Sequence, residues 1–267
     1  MINCKYCWDS DLGPGRMTDI DGTPRPCCCW PQRVAEWAVT TANISKRDFS
    51  SKFSIFVPND LYPNHKDVFD YCVDYAKSWL TTVKPQGRCL TLLGPECGMG
   101  KSYLAAAICH HLIENYWTKT TDTGVQDVCL FIGVGTWFEG WRDLYMRYPT
   151  DERYGNQGFI AEQEPLGIRE ARMKTTELLV LEDLTKFDLE RKHLVKLNNV
   201  IEHRIANRLP IIITDGADSP TQLSDILGPE FGPQIVSRIS NAGDVLVIEE
   251  HKAAPKPKSK SKGSKKS

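Results

Sequence analysis

The chain has 267 residues, 41% hydrophobic and 25% charged, with ten Cys and a formal net charge of −1. This composition excludes collagen-like repetition and disorder throughout, and it fits one globular domain of fair size with appendages. No apolar run approaches the roughly eighteen residues of a transmembrane helix, and Met1-Ile2-Asn3-Cys4-Lys5 lacks the basic-then-apolar pattern of a signal peptide, so a cytoplasmic protein with no membrane partner is expected.

Residues 1–33 are rich in Cys, Gly, Pro and Asp and hold too little apolar material for a core of their own. Cys4-x-x-Cys7 and the run Cys27-Cys28-Cys29 lie nineteen residues apart. Two thiolates on each of two tight turns can close a tetrahedral Zn²⁺ site, whose binding free energy would fold such a segment. Residues 1–33 are therefore expected to form a zinc-binding module, and 34–86 a connector with helical patches. In that connector Val68, Tyr71, Cys72, Tyr75 and Trp79 recur at spacings of three and four, which predicts a buried helical face. The other five Cys (72, 89, 97, 109 and 129) are scattered and read as small buried hydrophobes.

From residue 87 short apolar runs alternate with amphipathic stretches. Strands are expected at Cys89 to Leu93, Val128 to Val134, Leu178 to Leu181, Ile211 to Thr214 and Val245 to Ile248. Helices are expected at Lys101 to Trp117, Trp137 to Tyr148, Gln163 to Lys174 and Leu189 to Asn207, with a broken helical stretch running to Ser240. Five strands with intervening helices predict an α/β fold, a parallel sheet covered on both faces, over 87–250. Seven Lys fall within the last sixteen residues, leaving 26 basic against 34 acidic residues elsewhere, so 251–267 is expected to be a disordered Lys-rich tail on an acidic body.

The sharpest feature is Gly94-Pro95-Glu96-Cys97-Gly98-Met99-Gly100-Lys101-Ser102-Tyr103, between an apolar strand and an Ala-rich helix. Glycines let successive backbone N–H groups turn inward, and the helix start adds its partial positive charge, so a polyphosphate is held by amides and dipole together. Lys101 would reach the β- and γ-phosphates of ATP, and Ser102 would hold Mg²⁺. The usual spacing places Gly where Pro95 stands, with Gly94 one place further back, so either the loop is one residue longer than usual or Pro95 opens it.

Eighty-one residues after Lys101 stands Glu182, where the run Leu178-Leu179-Val180-Leu181-Glu182-Asp183 ends an apolar strand in two carboxylates. Ligands bind at this edge of such sheets. Glu182 is expected in the Mg²⁺ shell and Asp183 beside the attacking water. The common order is Asp then Glu; the reversal changes each acid's reach by about 1.5 Å, one methylene, and favours slow hydrolysis. Thr214 and Asp215 end the next strand where a γ-phosphate would be felt, and Arg238 on a later helix could reach the phosphate of a neighbouring subunit.

In this order the pieces resemble the AAA+ ATPases of the DnaC/IstB-like group: bacterial and phage replicative-helicase loaders and the helper ATPases of some transposases. Ala42-Asn43-Ile44-Ser45-Lys46-Arg47 resembles the segment before the ATPase core, Gly98 to Ala105 its P-loop, and Leu178 to Leu184 its Walker B strand. Thr214 and Asp215 fall at sensor I, where Asn or Ser is common instead of Asp, and Arg238 falls at the arginine finger. Only twelve residues separate Arg238 from His251, as in the lidless members of the group. The resemblance to loaders with a Pro-Cys-x-Cys element points to Cys4, Cys7, Cys27 and Cys29 as the Zn²⁺ ligands, with Cys28 able to replace either neighbour.

What the resemblance implies is an ATP-dependent loader of a DnaB-type hexameric replicative helicase, acting on single-stranded DNA and self-associating as a ring or spiral. A transposition helper, and a non-hydrolysing zinc adaptor or inhibitor of a helicase with ATP as a structural ligand, are the alternatives. Single-stranded DNA would meet the Lys tail or the group Trp137, Trp141 and Arg142, although two Trp four apart on a helix read first as core.

Overall fold

The computed structural model describes residues 16–18, 24–26, 39, 42–116, 128–138 and 166–250. Two short strands, β1 (Arg16–Thr18) and β2 (Pro24–Pro26), pair antiparallel with Arg16 opposite Pro26. The main sheet comprises β3 (Cys89–Leu93), β4 (Cys129–Gly133), β5 (Leu178–Glu182), β6 (Ile211–Asp215) and β7 (Gly243–Val247). All its strands are parallel, in the order β4-β5-β6-β3-β7.

These strands are nearly continuous apolar runs because both faces of the sheet are covered. Alternation along each strand divides the core in two. On one side Leu90, Leu92, Phe131, Leu178, Val180 and Ile212 meet Val68, Cys72 and Tyr75 of α1 (His65–Lys77) and Leu104, Ile108 and Leu112 of α2 (Lys101–Asn115). On the other, Leu93, Leu130, Ile132, Leu179, Leu181 and Ile213 meet three helices. These are α3 (Leu166–Thr175), which contributes Met173, α4 (Arg191–Ala206), which contributes Leu197 and Val200, and α6 (Gly228–Ala242), which contributes Phe231 and Ile235. Each such side chain contributes about 1.5–3 kcal/mol through its burial. A short α5 (Pro220–Ile226) precedes α6 and starts on Ser219, whose hydroxyl accepts the Gln222 N–H.

The buried face expected in the connector exists, and it lies in the same core as β3 and α2. Trp79 falls beyond α1, in a π-turn (Trp79–Val83), yet stays buried, while Tyr71 is only half-buried. The last strand begins at Gly243, two residues earlier than the apolar run suggests. Here α6 runs directly into the strand, and a Cβ at Gly243 would lie 1.9 Å from the Cys89 carbonyl oxygen, so only glycine allows that approach. Trp137 is wholly buried, in keeping with a core role; Trp141, Arg142, the Cys4, Cys7, Cys27 and Cys29 cluster and residues 251–267 lie outside the described residues.

Ahead of α1 the chain forms a brace. Ala42 accepts the Phe131 N–H at 2.7 Å and Asn43 donates its side-chain amide back to the Phe131 carbonyl at 2.9 Å, which covers the outer edge of β4. The buried Asp48 accepts the Ser45 hydroxyl at 2.6 Å, and its carbonyl meets His110 of α2 at 3.2 Å. Asn64 then bonds the Val247 carbonyl at 2.6 Å and accepts the Glu249 N–H at 3.0 Å, tying the start of α1 to the end of β7.

One buried cation fixes the opposite end of the sheet. Arg204, near the end of α4, is wholly buried and donates to the carbonyls of Met173 (2.7 Å), Thr176 (2.9 Å), Glu177 (3.2 Å) and Pro210 (2.7 Å). Burial pushes its pKa down to about 9, which leaves it charged at neutral pH. Among the described residues no helix is long and apolar enough to cross a membrane.

Candidate functional site

Because the five strands are parallel, their C-terminal ends share one edge. Leu93 stands opposite Asp215 on one side and Val247 on the other, while Glu182 stands opposite Gly133. β6 lies between β3 and β5, so the Gly-rich loop and the two acids flank Thr214 and Asp215.

The loop runs from Gly94 to Gly100 between β3 and α2. Gly100 takes φ +83°, the left-handed region, and its carbonyl accepts the Leu104 N–H at 2.8 Å as the first bond of the helix. A Cβ there would also come within 2.9 Å of the Phe56 ring. Met99 is wholly buried and anchors the loop, whereas Pro95, Glu96, Cys97 and Gly98 are exposed. Cys97 thus departs from the expectation of a buried hydrophobe, which Cys72, Cys89, Cys109 and Cys129 meet: it stands on the turn that must leave its amides free.

Lys101 folds back on this loop. Its Nζ donates to the carbonyls of Gly94 at 2.6 Å and Glu96 at 3.0 Å. Gly94 and Glu96 thus both turn their carbonyls toward the lysine within the loop between β3 and α2. Burial lowers the Lys101 pKa, while the charge of Asp183 and, more weakly, Cys97 and Asp215 support the ammonium. Ser102 is half-buried at the helix start, and Tyr103 donates its hydroxyl to the Lys52 carbonyl at 3.0 Å.

Aromatic side chains of the brace wall the loop. Phe56 stacks on Phe69 with centroids 5.3 Å apart and meets His65 edge-on at 5.2 Å. Tyr62 donates its hydroxyl to Glu96 at 3.1 Å. His65 accepts the Asn59 N–H at Nδ1 (2.8 Å), and its buried Nε2 has no hydrogen-bond partner among the described residues. Burial lowers its pKa.

The acids are each held by a cation. Glu182 accepts from Arg47 at 3.2 Å. Asp183 turns the chain with φ +53°, accepts from Lys186 at 2.8 Å, and donates its N–H to the Thr214 hydroxyl at 3.4 Å. Asp215 is wholly buried, and its carboxylate accepts the Thr185 N–H (2.6 Å), the Thr185 hydroxyl (2.9 Å) and the Ala217 N–H (2.9 Å). Both its oxygens are therefore spent on the turn that follows the acids and on the backbone just after β6.

Among the described residues no group of three or more His, Cys, Asp or Glu could hold a metal unaided. Mg²⁺ does not need one: it binds through one or two carboxylates together with phosphate oxygens and water. A hydroxyl at Ser102 and a carboxylate at Glu182 are a donor set of that type.

Arg238 lies on α6 and is bonded within its own chain to Asn198 at 2.6 Å and Glu202 at 3.5 Å, both on α4. Sequence reasoning did not single out Arg47, Tyr62, His65 or Thr185 as part of the site; the first lies in a segment noted only for its resemblance. Arg47, Tyr62 and Thr185 meet partners 135, 34 and 30 residues away, and no local pattern announces them.

No protein-family model matches the chain, and no curated protein matches it in sequence. Solved structures do. The DnaC helicase loader superposes with a TM-score of 0.54 at 20% identity, covering 77% of this chain and 100% of that one. DnaI gives 0.55 at 18% identity, covering 77% and 91%. AMPPCP-bound DnaA from Aquifex aeolicus gives 0.52 at 13% identity, covering 77% and 52%. At these identities the likeness establishes the fold alone: the five-stranded parallel sheet between helices is shared with the DnaC and DnaI structures.

Proposed function

We propose, from a fold shared with DnaC and DnaI, that this chain is an ATP-dependent loader of a DnaB-type replicative helicase onto single-stranded DNA. The observation that carries the reading is the convergence on one sheet edge of a Gly-rich loop, its lysine and two carboxylates, with β6 between them. The AMPPCP bound in the DnaA relative agrees with a nucleotide there.

The loop amides of residues 95–102 take the triphosphate, and Lys101 leaves the Gly94 and Glu96 carbonyls for the β- and γ-phosphates. Ser102 and Glu182 are the residues that hold Mg²⁺, which when bound offsets phosphate charge. Asp183 exchanges Lys186 for the attacking water, with its backbone steadied by Thr214. Arg238 of an adjoining subunit stabilises the transferring phosphoryl group once it leaves Asn198 and Glu202, so turnover requires assembly into a ring or spiral. Hydrolysis then loosens that interface and times helicase release.

The N-terminal cysteines complete the reading as a Zn²⁺ site of Cys4, Cys7, Cys27 and Cys29 that faces the helicase. β1 and β2 support it, because their pairing forms a hairpin between the two cysteine groups and Cys27 follows directly on Pro26, the partner of Arg16. A second reading, a non-hydrolysing ATP-bound adaptor, draws on the intrachain bonds that occupy Asp183 and Arg238.

Phosphate release with single-stranded DNA and a hexameric helicase present separates the two. Lys101→Ala is expected to lose nucleotide, Asp183→Asn to bind without turnover, and Arg238→Ala to bind but hydrolyse poorly. Unchanged turnover in all three defeats the proposal.

A further inference from the structure

Glu182, at the metal end of the cleft, already has a cation. Arg47 reaches it from 135 residues away in sequence, NH2 to Oε1 at 3.2 Å. The Arg47 backbone is not free to drift: the Ala42 and Asn43 bonds to Phe131 hold the chain before it, and Asp48, buried and bonded to Ser45 and near His110, holds the chain after it. The side chain itself is 71% exposed and can swing without disturbing the core, whereas that of Glu182 is only 15% exposed, so water drains little of its attraction for a cation. Arg47 also has a second anchor, Asp48 at 3.1 Å, that it keeps on releasing Glu182.

We propose that Arg47 is a guard on Glu182: it neutralises the acid while no divalent metal is present, and it withdraws onto Asp48 when metal and nucleotide arrive. The guanidinium suits this task because it is always charged and sheds water more easily than an ammonium. Metal binding at this edge is therefore a competition, and the brace that carries Arg47 registers whether the cleft is filled. This inference rests on the reading of the cleft as a metal–nucleotide site.

The test titrates Mg²⁺ into the full chain holding a fluorescent ATP analogue and reads the metal-dependent change in the analogue's signal. An ion pair with one exposed partner contributes about 0.2–1 kcal/mol, so Arg47→Ala should reach half-saturation at about 1.4- to fivefold lower Mg²⁺. Arg47→Lys, which keeps the charge, should move back toward the wild type. Arg47→Gln, which can still bond Asp48, should follow Arg47→Ala and guards against a displaced brace. A midpoint that is unchanged or raised in both Ala and Gln variants overturns the role of Arg47. No analogue signal from the wild type at any Mg²⁺ overturns the reading of the cleft instead.

Discussion

Replacing Asp215 by Ala tests whether this residue senses nucleotide or holds the turn beside it. Its carboxylate serves two backbone amides, Thr185 N–H at 2.6 Å and Ala217 N–H at 2.9 Å, besides the Thr185 hydroxyl. A hydroxyl can rotate toward water; the amides cannot. A buried donor left unpaired costs about 1–3 kcal/mol, and since Ala217 is wholly buried and Thr185 half-buried, the pair should cost about 3 kcal/mol. With a urea dependence of about 2–3 kcal/mol per molar, the unfolding midpoint should fall by about 1 M. Asp215→Asn keeps one acceptor but turns an amide donor toward the other N–H, and should recover about half of the loss. Equilibrium urea unfolding followed by fluorescence measures both. An Asp215→Ala variant that unfolds within about 0.5 kcal/mol of the wild type but has lost turnover would refute the structural role and restore that of a phosphate sensor.

Two further outcomes follow from buried groups. Arg204→Met should destabilise the fold by about 3–5 kcal/mol, since four carbonyls lose their donor at once; a loss under 1 kcal/mol in the same unfolding assay would contradict the clamp. His65 and His110 have pKa values lowered by burial, so below the unfolded value of about 6.5 the unfolded chain takes up protons that the folded chain resists. Their contribution is therefore full above that pH and is lost as pH falls toward the folded values. The melting temperature should drop between pH 7 and about 5.5, and His110→Gln should flatten part of the slope; a slope of the opposite sign would show these rings charged in the fold.

The loop and the strands are legible in sequence because both are dictated locally. Gly100 must take a left-handed conformation at a helix start, and a strand buried on both faces must be an unbroken apolar run, as in Ile211-Ile212-Ile213. The periodicity from Val68 to Trp79 likewise announces a buried face, though not that it shares the core of β3. Long-range electrostatics is not written locally. Arg204 reads as one more polar helix residue until four carbonyls are seen around it. Asp215 reads as a polar strand end, and only the fold reveals that Thr185 and Ala217 claim its oxygens. Arg47 and Glu182 meet only because the brace climbs the outer edge of β4, whose neighbour is β5.

That brace has a mechanical consequence. Tension applied to the chain ahead of Ala42 meets the buried Val39, the two bonds to Phe131 on the flank of the sheet, and Asp48, whose carbonyl lies against His110 of α2. Whatever grips the N-terminal side of this protein therefore tugs on a line that carries Arg47, and through it is tied to the acid end of the cleft.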